Sequence, residues 1–349
     1  MSGGKQRKEF VSCSIEEARD ADGKRGVQKR ENRIFEMLPE ANMTFDELGE
    51  WYLNINRVKK LASYKRVVWS IDKFNKVFGP QLVSGIKPVR LEEFQDKCEE
   101  EGLAPATIDL ILITVGTMVR KAWDNDIVDG RTVKAFRKVE KKLKTGSNAR
   151  ECTLTISEYL RLKEVGSTHP KTLLATAFNT GMRQGEMLKL KWSHIDWENG
   201  FIRLPAEITK ERKAKSIPIN HHVRKVLEGL PRAIHHDYVF TYHGNPIQLK
   251  VRNAFKGACK KAGIIYGQKV ESGVRFHDIR TTFKTNMLRA GIDKVLRDNI
   301  VGHSLQGMDA YYLKPSDEDL KEAIGKFTVW IDAQIENVTH AVTHEAKSG

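Results

Sequence analysis

The chain has 349 residues and a formal net charge of +14, with 40% hydrophobic and 30% charged residues, a composition typical of folded globular proteins and not of disordered or membrane chains. The longest apolar run, residues 110–119, is about half the length needed to cross a bilayer. The basic N-terminus lacks the apolar segment of a signal peptide, and four widely separated cysteines indicate neither a disulfide framework nor a zinc motif. We therefore expect a cytoplasmic protein of two domains with no membrane contact, whose excess of lysine and arginine favours nucleic acid as a partner over a merely solvated surface.

The first part of the chain is predicted to be a charged leader followed by a small helical domain. Residues 1–42 have mixed charges and no clear period, so we interpret them as a basic leader. A capping box at Thr44 and Glu47 predicts a helix start. Further helices fit residues 63–78, 91–101 and 104–125. No segment alternates as a strand would, so residues 43–140 are predicted to form an all-helical domain.

A strongly basic stretch follows this domain. Residues 131–150 contain eight basic residues and one acidic residue, with Gly-Ser-Asn near their end. This composition predicts a domain linker, which we place at residues 141–152. A charged hinge can follow DNA phosphates, although a solvated helix end accounts for the charges equally well.

The second domain, residues 153–337, is predicted to be mainly helical with a small antiparallel β-sheet, and residues 338–349 are predicted to be a tail. A capping box at Thr155 and Glu158 starts it. Two strands, predicted at residues 201–204 and 216–219, flank the basic turn TKERKAK. Helices fit residues 173–181, 223–230, 248–262, 278–290, 293–301 and 317–335, and the last carries an apolar stripe.

Two arginine motifs in this domain can bind a phosphate. Arg183 begins a turn just after Gly181, with Glu186 positioned to orient its guanidinium. His277 and Arg280 share one helix face, so Arg183 and Arg280 can clamp one phosphodiester. Each motif alone is more commonly a surface or core feature. The His277-Asp278 pair also suggests a metal-dependent phosphohydrolase, but no further cluster of metal ligands follows it.

Two other motifs supply proton donors and a nucleophile. Lys210 lies in the turn between the two strands, where an amine can protonate a leaving oxygen; other cations of the turn, Arg212, Lys213 and Lys215, are alternatives. His303 follows Gly302, and Tyr312 comes nine residues later, directly after Tyr311. A phenol attacks phosphorus well only when a base such as His277 or His303 takes its proton.

In order and spacing, the set resembles the active-site residues of the tyrosine recombinase (phage integrase) family, over residues 43–313; its members here are Arg183, Lys210, His277, Arg280, His303 and Tyr312. The resemblance implies a helical core-binding domain and a mixed catalytic domain that together clamp DNA. Against the family pattern, residues 1–42 are too short for a complete arm-site-binding domain and are interpreted as its remnant. The resemblance implies a site-specific DNA recombinase, the integrase of a phage or genomic island, that needs no metal or other cofactor. Its expected partners are double-stranded DNA attachment sites, three further copies in a homotetramer on two duplexes, and accessory DNA-bending or excision proteins, within a prokaryotic nucleoid.

The resemblance also implies a role for each residue. Tyr312 would form a 3′-phosphotyrosyl link, Lys210 would protonate the leaving oxygen, and His277 would act as the base. The phosphate would be held by Arg183, Arg280 and His303. The family spacing selects Tyr312 over Tyr311, whose side chain would point about 100° away on a helix. The segment after the tyrosine often packs on a neighbouring subunit in this family, so the stripe of residues 317–335 packs either there or on its own domain.

Two other functions use the same residues. A type IB topoisomerase shares the tyrosine chemistry without bringing two duplexes together, but the helical first domain and the motif spacing favour a recombinase. A catalytically silent DNA-binding regulator is the second alternative. It would not require a competent residue at every catalytic position.

Overall fold

The computed structural model describes residues 19, 43–144, 146–147, 152–166, 168–247, 251–268, 270–303 and 312–348. Tyr311 and, apart from Arg19, the predicted leader lie outside the described residues. The chain divides into two compact units, Met1–Ala149 and Arg150–Gly349.

The described part of the first unit is helical. Its helices are α1 (Phe45–Asn54), α2 (Asn56–Lys59), α3 (Tyr64–Phe78), α4 (Pro88–Glu100), α5 (Pro105–Trp123) and α6 (Gly130–Lys138). The capping box predicted at the start of α1 is confirmed: Glu47 N–H donates to Thr44 Oγ1 and Thr44 N–H donates to Glu47 Oε2. Aromatic rings from α1, α3 and α4 fill the core, where Phe45 and Phe74 meet edge to face with centroids 5.1 Å apart.

The linker begins later along the chain than its basic composition suggested. The first half of the basic stretch forms most of α6, which buries Val133 and Ala135 and keeps its cations outward. Beyond the helix, Lys142 N–H donates to Asp109 Oδ1 at 2.8 Å, and Lys142 Nζ pairs with Asp96 and Glu99. These bonds hold the chain to α4 and α5. Charge alone could not distinguish this packed segment from a solvated one.

The second unit is mainly α-helical with small antiparallel sheets, which confirms the predicted fold class. Its helices are α7 (Ile156–Val165), α8 (Thr168–Thr180), α9 (Gln184–Leu188), α10 (His221–Glu228), α11 (Arg252–Lys261), α12 (Asp278–Arg289), α13 (Lys294–Val301) and α14 (Asp317–Ser348). Strands β1 (Ile195–Asp196), β2 (Phe201–Leu204) and β3 (Lys215–Pro218) form one sheet in that order, and β4 (Thr241–Tyr242) pairs with β5 (Asn245–Pro246). Phe201 is the register partner of Pro218, so the β2–β3 loop carries the predicted basic turn.

Helix α12 is packed between the segment after α8 and helix α14. Gly181 has a φ of +61°, and a Cβ atom built there would lie 2.4 Å from the Phe283 ring of α12. On its other side Phe283 meets Phe327 of α14 edge to face, with centroids 5.0 Å apart. The two arginine motifs are therefore brought together because a glycine lets the chain before Arg183 approach α12 closely.

Helix α14 is longer than predicted, since it continues to Ser348 and replaces most of the predicted tail. Its apolar stripe packs on its own unit: Leu320, Ile324, Phe327 and Ile331 are all buried. Fully burying such side chains stabilises a fold by about 1.5–3 kcal/mol each. No helix in the described part of the chain is long and apolar enough to span a membrane.

Candidate active site

Arg183 is the residue immediately before α9, and a carboxylate holds it there. Its Nη1 donates to Glu186 Oε1 at 2.9 Å, and its backbone N–H donates to Glu186 Oε2 at 3.1 Å. Glu186 is 2% exposed, whereas the Arg183 side chain is 17% exposed. The guanidinium therefore has a fixed position at the start of α9.

The same glutamate binds a lysine of the β2–β3 turn. Lys215 Nζ donates to Glu186 Oε2 at 2.7 Å, and Lys215 is buried. Burial lowers the pKa of Lys215 to about 8; Glu186 opposes this shift, and Arg280 and Arg183 add to it. Burial alone would raise the pKa of Glu186, but Lys215 and the hydrogen bonds from Lys215 and Arg183 hold it below its usual value. The buried pair thus places a carboxylate beneath the arginines.

Arg280 lies on α12 and is only 5% exposed. Its Nη1 donates to the carbonyl of Gly181 at 2.7 Å, and its Nη2 donates to the carbonyl of Val301 at 2.5 Å. Burial and then the Arg183 charge lower its pKa to about 10, so it remains charged at neutral pH. Because a guanidinium has five N–H groups, three remain for a phosphate.

Gly302 positions His303 at the end of α13. Its φ of +71° is the left-handed conformation that ends many helices, and a Cβ there would lie 2.9 Å from Lys215 Cδ. His277, Arg280 and His303 line a single pocket. Burial and the Arg280 charge lower the pKa of both histidines, so each is biased to the neutral form.

The predicted nucleophile is close in sequence to a second pocket. Residues Leu313, Lys314 and Pro315, which follow Tyr312, line a pocket with His303 and Lys215. Tyr312 itself is 74% exposed. The segment that carries the phenol therefore reaches the histidine end of the site, and the hydroxyl is accessible to a large substrate.

Lys210 and Lys215 lie in different environments, although both belong to the predicted basic turn. Lys210 is exposed in the β2–β3 loop, whereas Lys215 is buried at the start of β3. Glu211 makes a bidentate ion pair with Arg183, through Nη1 at 2.9 Å and Nη2 at 2.5 Å. An acidic side chain thus occupies the edge of Arg183 that is suited to a phosphate.

Comparison with known proteins identifies this arrangement. The family model described as the phage integrase family matches residues 153–319. A XerC-like tyrosine recombinase of Caldanaerobacter subterraneus subsp. tengcongensis is 24% identical over 366 residues, covering 86% of this chain and 90% of the relative. The integrase of Salmonella phage P22 is 24% identical over 188 residues, and the match covers 50% of this chain and 46% of the phage protein.

The fold agrees with the sequence matches. A lambda integrase tetramer solved on a Holliday junction superposes with a TM-score of 0.62 at 18% identity, over 86% of this chain and 89% of that one. The second unit of the chain matches the tyrosine recombinase (phage integrase) family. The recombinase is thus an enzyme of site-specific recombination that cuts and rejoins DNA strands, as the sequence motifs predicted.

Sequence reasoning missed three charged residues that surround the recombinase's predicted site. Glu211 pairs with Arg183; Lys284 Nζ lies 3.1 Å from His303 Nδ1; and Asp298 Oδ1 lies 2.5 Å from Lys284 Nζ. Lys284 comes one helical turn after Arg280, a spacing that could have indicated a shared face. The local pattern offers Asp298 only a partner one turn earlier, Lys294, whereas its contact with Lys284 joins it to another helix.

One cluster of metal-ligand type occurs among the described residues of the recombinase. His221, His222 and Asp332 offer atoms within 4.8 Å of one another. His222 Nε2 and Asp332 Oδ1 are hydrogen-bonded at 2.6 Å, which links α10 to α14. Neither helix carries a predicted catalytic residue, and we assign the contact a structural role.

Proposed function

We propose that the recombinase cleaves DNA with Tyr312 and joins the attachment sites of a mobile element such as a phage or genomic island. The observation that carries this proposal is the convergence of Arg183, Arg280, His277 and His303 around α12, with two arginine side chains beside a pocket lined by two histidines. Such a site suits a phosphate that gains negative charge as it reacts.

The chemistry follows from the groups present. Tyr312 attacks the scissile phosphorus while His277 takes the phenol proton, and the bond from phosphorus to the 5′ oxygen breaks as Lys210 protonates that oxygen. Arg183, Arg280 and His303 hold the nonbridging oxygens. The phosphotyrosyl bond conserves the energy of the phosphodiester, so the 5′-hydroxyl of another strand can reverse the step and reseal the DNA.

The downward shift in the pKa of each histidine supports these roles. A base must be neutral to accept the tyrosine proton, and burial together with Arg280 disfavours the imidazolium of His277. His303, biased to the neutral form in the same way, can donate one N–H to the phosphate.

Lys210 is our choice for the acid because it is exposed on a loop that can enter a DNA groove, whereas Lys215 is occupied by Glu186. We expect Lys210→Ala to slow cleavage of ordinary DNA by about 10²–10⁴-fold, the usual contribution of a general acid. A substrate whose leaving 5′ oxygen is replaced by sulfur should restore most of the rate, because a thiolate leaves without protonation. The rate of adduct formation on the two substrates measures this.

Two variants of the same turn serve as controls for the lysine assignment. Lys213→Ala should cleave both substrates at close to the wild-type rate. Lys215→Ala should be slow on both, because it removes the partner of Glu186 and not the acid. Rescue by sulfur in Lys215→Ala but not in Lys210→Ala would assign the acid to Lys215.

Glu211 competes with DNA for Arg183 in this proposal. Its carboxylate uses the two N–H groups that a phosphate would use, so substrate must displace it. We expect Glu211→Gln to form adduct about 3–10-fold faster at subsaturating DNA, since a neutral amide competes less well than a carboxylate.

Glu207→Gln is the matched control for Glu211→Gln, because it removes the same charge from an exposed position in the same loop. It should change the rate by less than about twofold if Glu211 acts through its ion pair with Arg183 and not through the overall electrostatic field of the loop. A slower Glu211→Gln enzyme would mean that Glu211 positions Arg183 for catalysis.

The partners follow by analogy with the relatives. The lambda integrase tetramer was solved on a Holliday junction, which supports a tetramer on two duplexes for this recombinase as well. We propose that the helical first unit and the catalytic second unit clamp DNA within a prokaryotic nucleoid, and that accessory DNA-bending or excision proteins direct the reaction.

The function as a whole is tested on DNA from the two junctions between the element and its chromosome. Purified protein in EDTA without ATP should join two molecules that carry these junctions and should not join molecules without them. Relaxation of any supercoiled plasmid without joining would support the topoisomerase alternative. Binding without cleavage would support the silent regulator.

A further inference from the structure

Three charged or titratable side chains form a chain of contacts at the pocket lined by Arg280. Lys284 Nζ lies 3.1 Å from His303 Nδ1 and 2.5 Å from Asp298 Oδ1. The Asp298 side chain is 5% exposed, and the backbone N–H of His303 donates to the Asp298 carbonyl at 2.8 Å. The lysine thus lies between a buried carboxylate and the Nδ1 edge of the histidine ring.

The direction of the hydrogen bond between Lys284 and His303 is determined by chemistry. An ammonium group has three donors and no acceptor, so Nδ1 of His303 must be the acceptor and carry no proton. The neutral ring then has its only N–H at Nε2. The second ring nitrogen of a histidine commonly sets the tautomer of the first in this way.

The surrounding charges disfavour a doubly protonated ring. His303 faces Arg280 and Lys284 from α12, Asp298 from α13 and Arg183 before α9, while Lys215 lies beneath Gly302. Burial, Arg280 and Lys284 lower the pKa of His303, and Asp298 opposes them.

We propose that Lys284 is a positioning residue that keeps His303 in the Nε2–H tautomer, so that neutral His303 donates to the scissile phosphate. Asp298 holds the ammonium in place. This inference rests on the proposed role of His303 as a phosphate donor. It adds a lysine and a buried aspartate to the residues on which the reaction depends.

Removing Lys284 should change the tautomer and not merely the local charge. Asp298 Oδ1 lies 3.6 Å from His303 Nδ1, so it becomes the nearest acceptor for a proton on that nitrogen. The neutral ring would then present the Nε2 lone pair to the phosphate, which repels it. Only the imidazolium, with a proton on each nitrogen, would still donate.

The test compares the pH dependence of adduct formation in four proteins: wild type, Lys284→Met, Lys284→Arg and Lys294→Met. We expect Lys284→Met to react within about threefold of wild type at the acidic end of the pH profile, where protonation of the ring restores an N–H donor. Near pH 8.5 it should be about 100-fold slower, because one transition-state donor is lost. Lys284→Arg keeps a donor-only side chain and should follow wild type.

Lys294→Met is the matched control. Lys294 Nζ lies 2.8 Å from Asp298 Oδ2 and its side chain is 74% exposed, so the variant takes the same charge from the same carboxylate without touching His303. Its rate relative to wild type should not change with pH. A constant ratio for Lys284→Met would overturn the proposal, as would a Lys294→Met profile identical to that of Lys284→Met.

A second measurement does not depend on the reaction. Long-range nitrogen–proton NMR spectra of ¹⁵N-histidine-labelled wild type, with the His303 signal assigned by its loss in His303→Gln, should show the proton on Nε2. A proton on Nδ1 would overturn the proposal. Wild type that forms no adduct would contradict the proposed function, and the spectrum would then decide the tautomer by itself.

Discussion

Replacing Tyr312 with phenylalanine should abolish the covalent protein–DNA adduct while leaving DNA binding unchanged. The substitution removes only the oxygen that attacks phosphorus, and loss of a nucleophile slows catalysis by roughly 10⁴-fold or more. Tyr312 is 74% exposed, so stability should change by less than about 0.5 kcal/mol. The measurement is an SDS-resistant labelled adduct on a nicked duplex from an element junction, in EDTA and without ATP.

Tyr311→Phe is the control for this experiment, because it makes the same change one residue earlier in the chain. It should form adduct at close to the wild-type rate. An adduct lost only in Tyr311→Phe would move the nucleophile by one residue. An adduct in wild type that requires added metal would contradict transesterification by arginine, lysine and histidine alone.

Arg280→Met should impair both folding stability and cleavage. The carbonyls of Gly181 and Val301 lose their donors inside the protein, and leaving buried groups unsatisfied costs about 1–3 kcal/mol each. A total of about 3 kcal/mol lowers the Tm of a domain of this size by about 6–12 °C. Cleavage at a permissive temperature should fall by roughly 10³-fold, because a charged phosphate donor is missing.

Arg289→Met separates the two effects of the arginine change. Arg289 lies on the same helix but is exposed, and it makes one 3.3 Å bond to Asn286 Oδ1. Its Tm and cleavage rate should stay close to wild type. Suppose that Arg280→Met lost stability but that its folded, DNA-bound fraction cleaved DNA at the wild-type rate. Arg280 would then be a structural residue only. Calorimetry and single-turnover cleavage measure the two quantities independently.

Local sequence signals predicted most helices well. The capping boxes at Thr44 and Thr155 are present because each needs only side chains three residues apart. The predictions were less accurate where charged and apolar residues of one segment favour different structures. Residues 131–138 looked like a linker by charge, yet Val133 and Ala135 bury one face of α6. The end of α14 was placed too early because the apolar stripe stops near Ile335 and the helix continues without it.

The order and spacing of the sequence motifs were enough to predict the family, the fold class and a set of candidate catalytic residues. This was possible because phosphoryl transfer requires particular residue types at the ends of helices and strands, and those residues form short motifs in the sequence. Only the tertiary structure showed that Lys210 and Lys215, which have the same side chain and belong to the same predicted turn, lie in different environments. Burial against Glu186 separates them, and that burial depends on α9, whose position relative to β3 no local pattern encodes. The contacts of Glu211 and the cluster of Lys284, Asp298 and His303 were likewise decided only in three dimensions, because their charges come from segments that meet through packing.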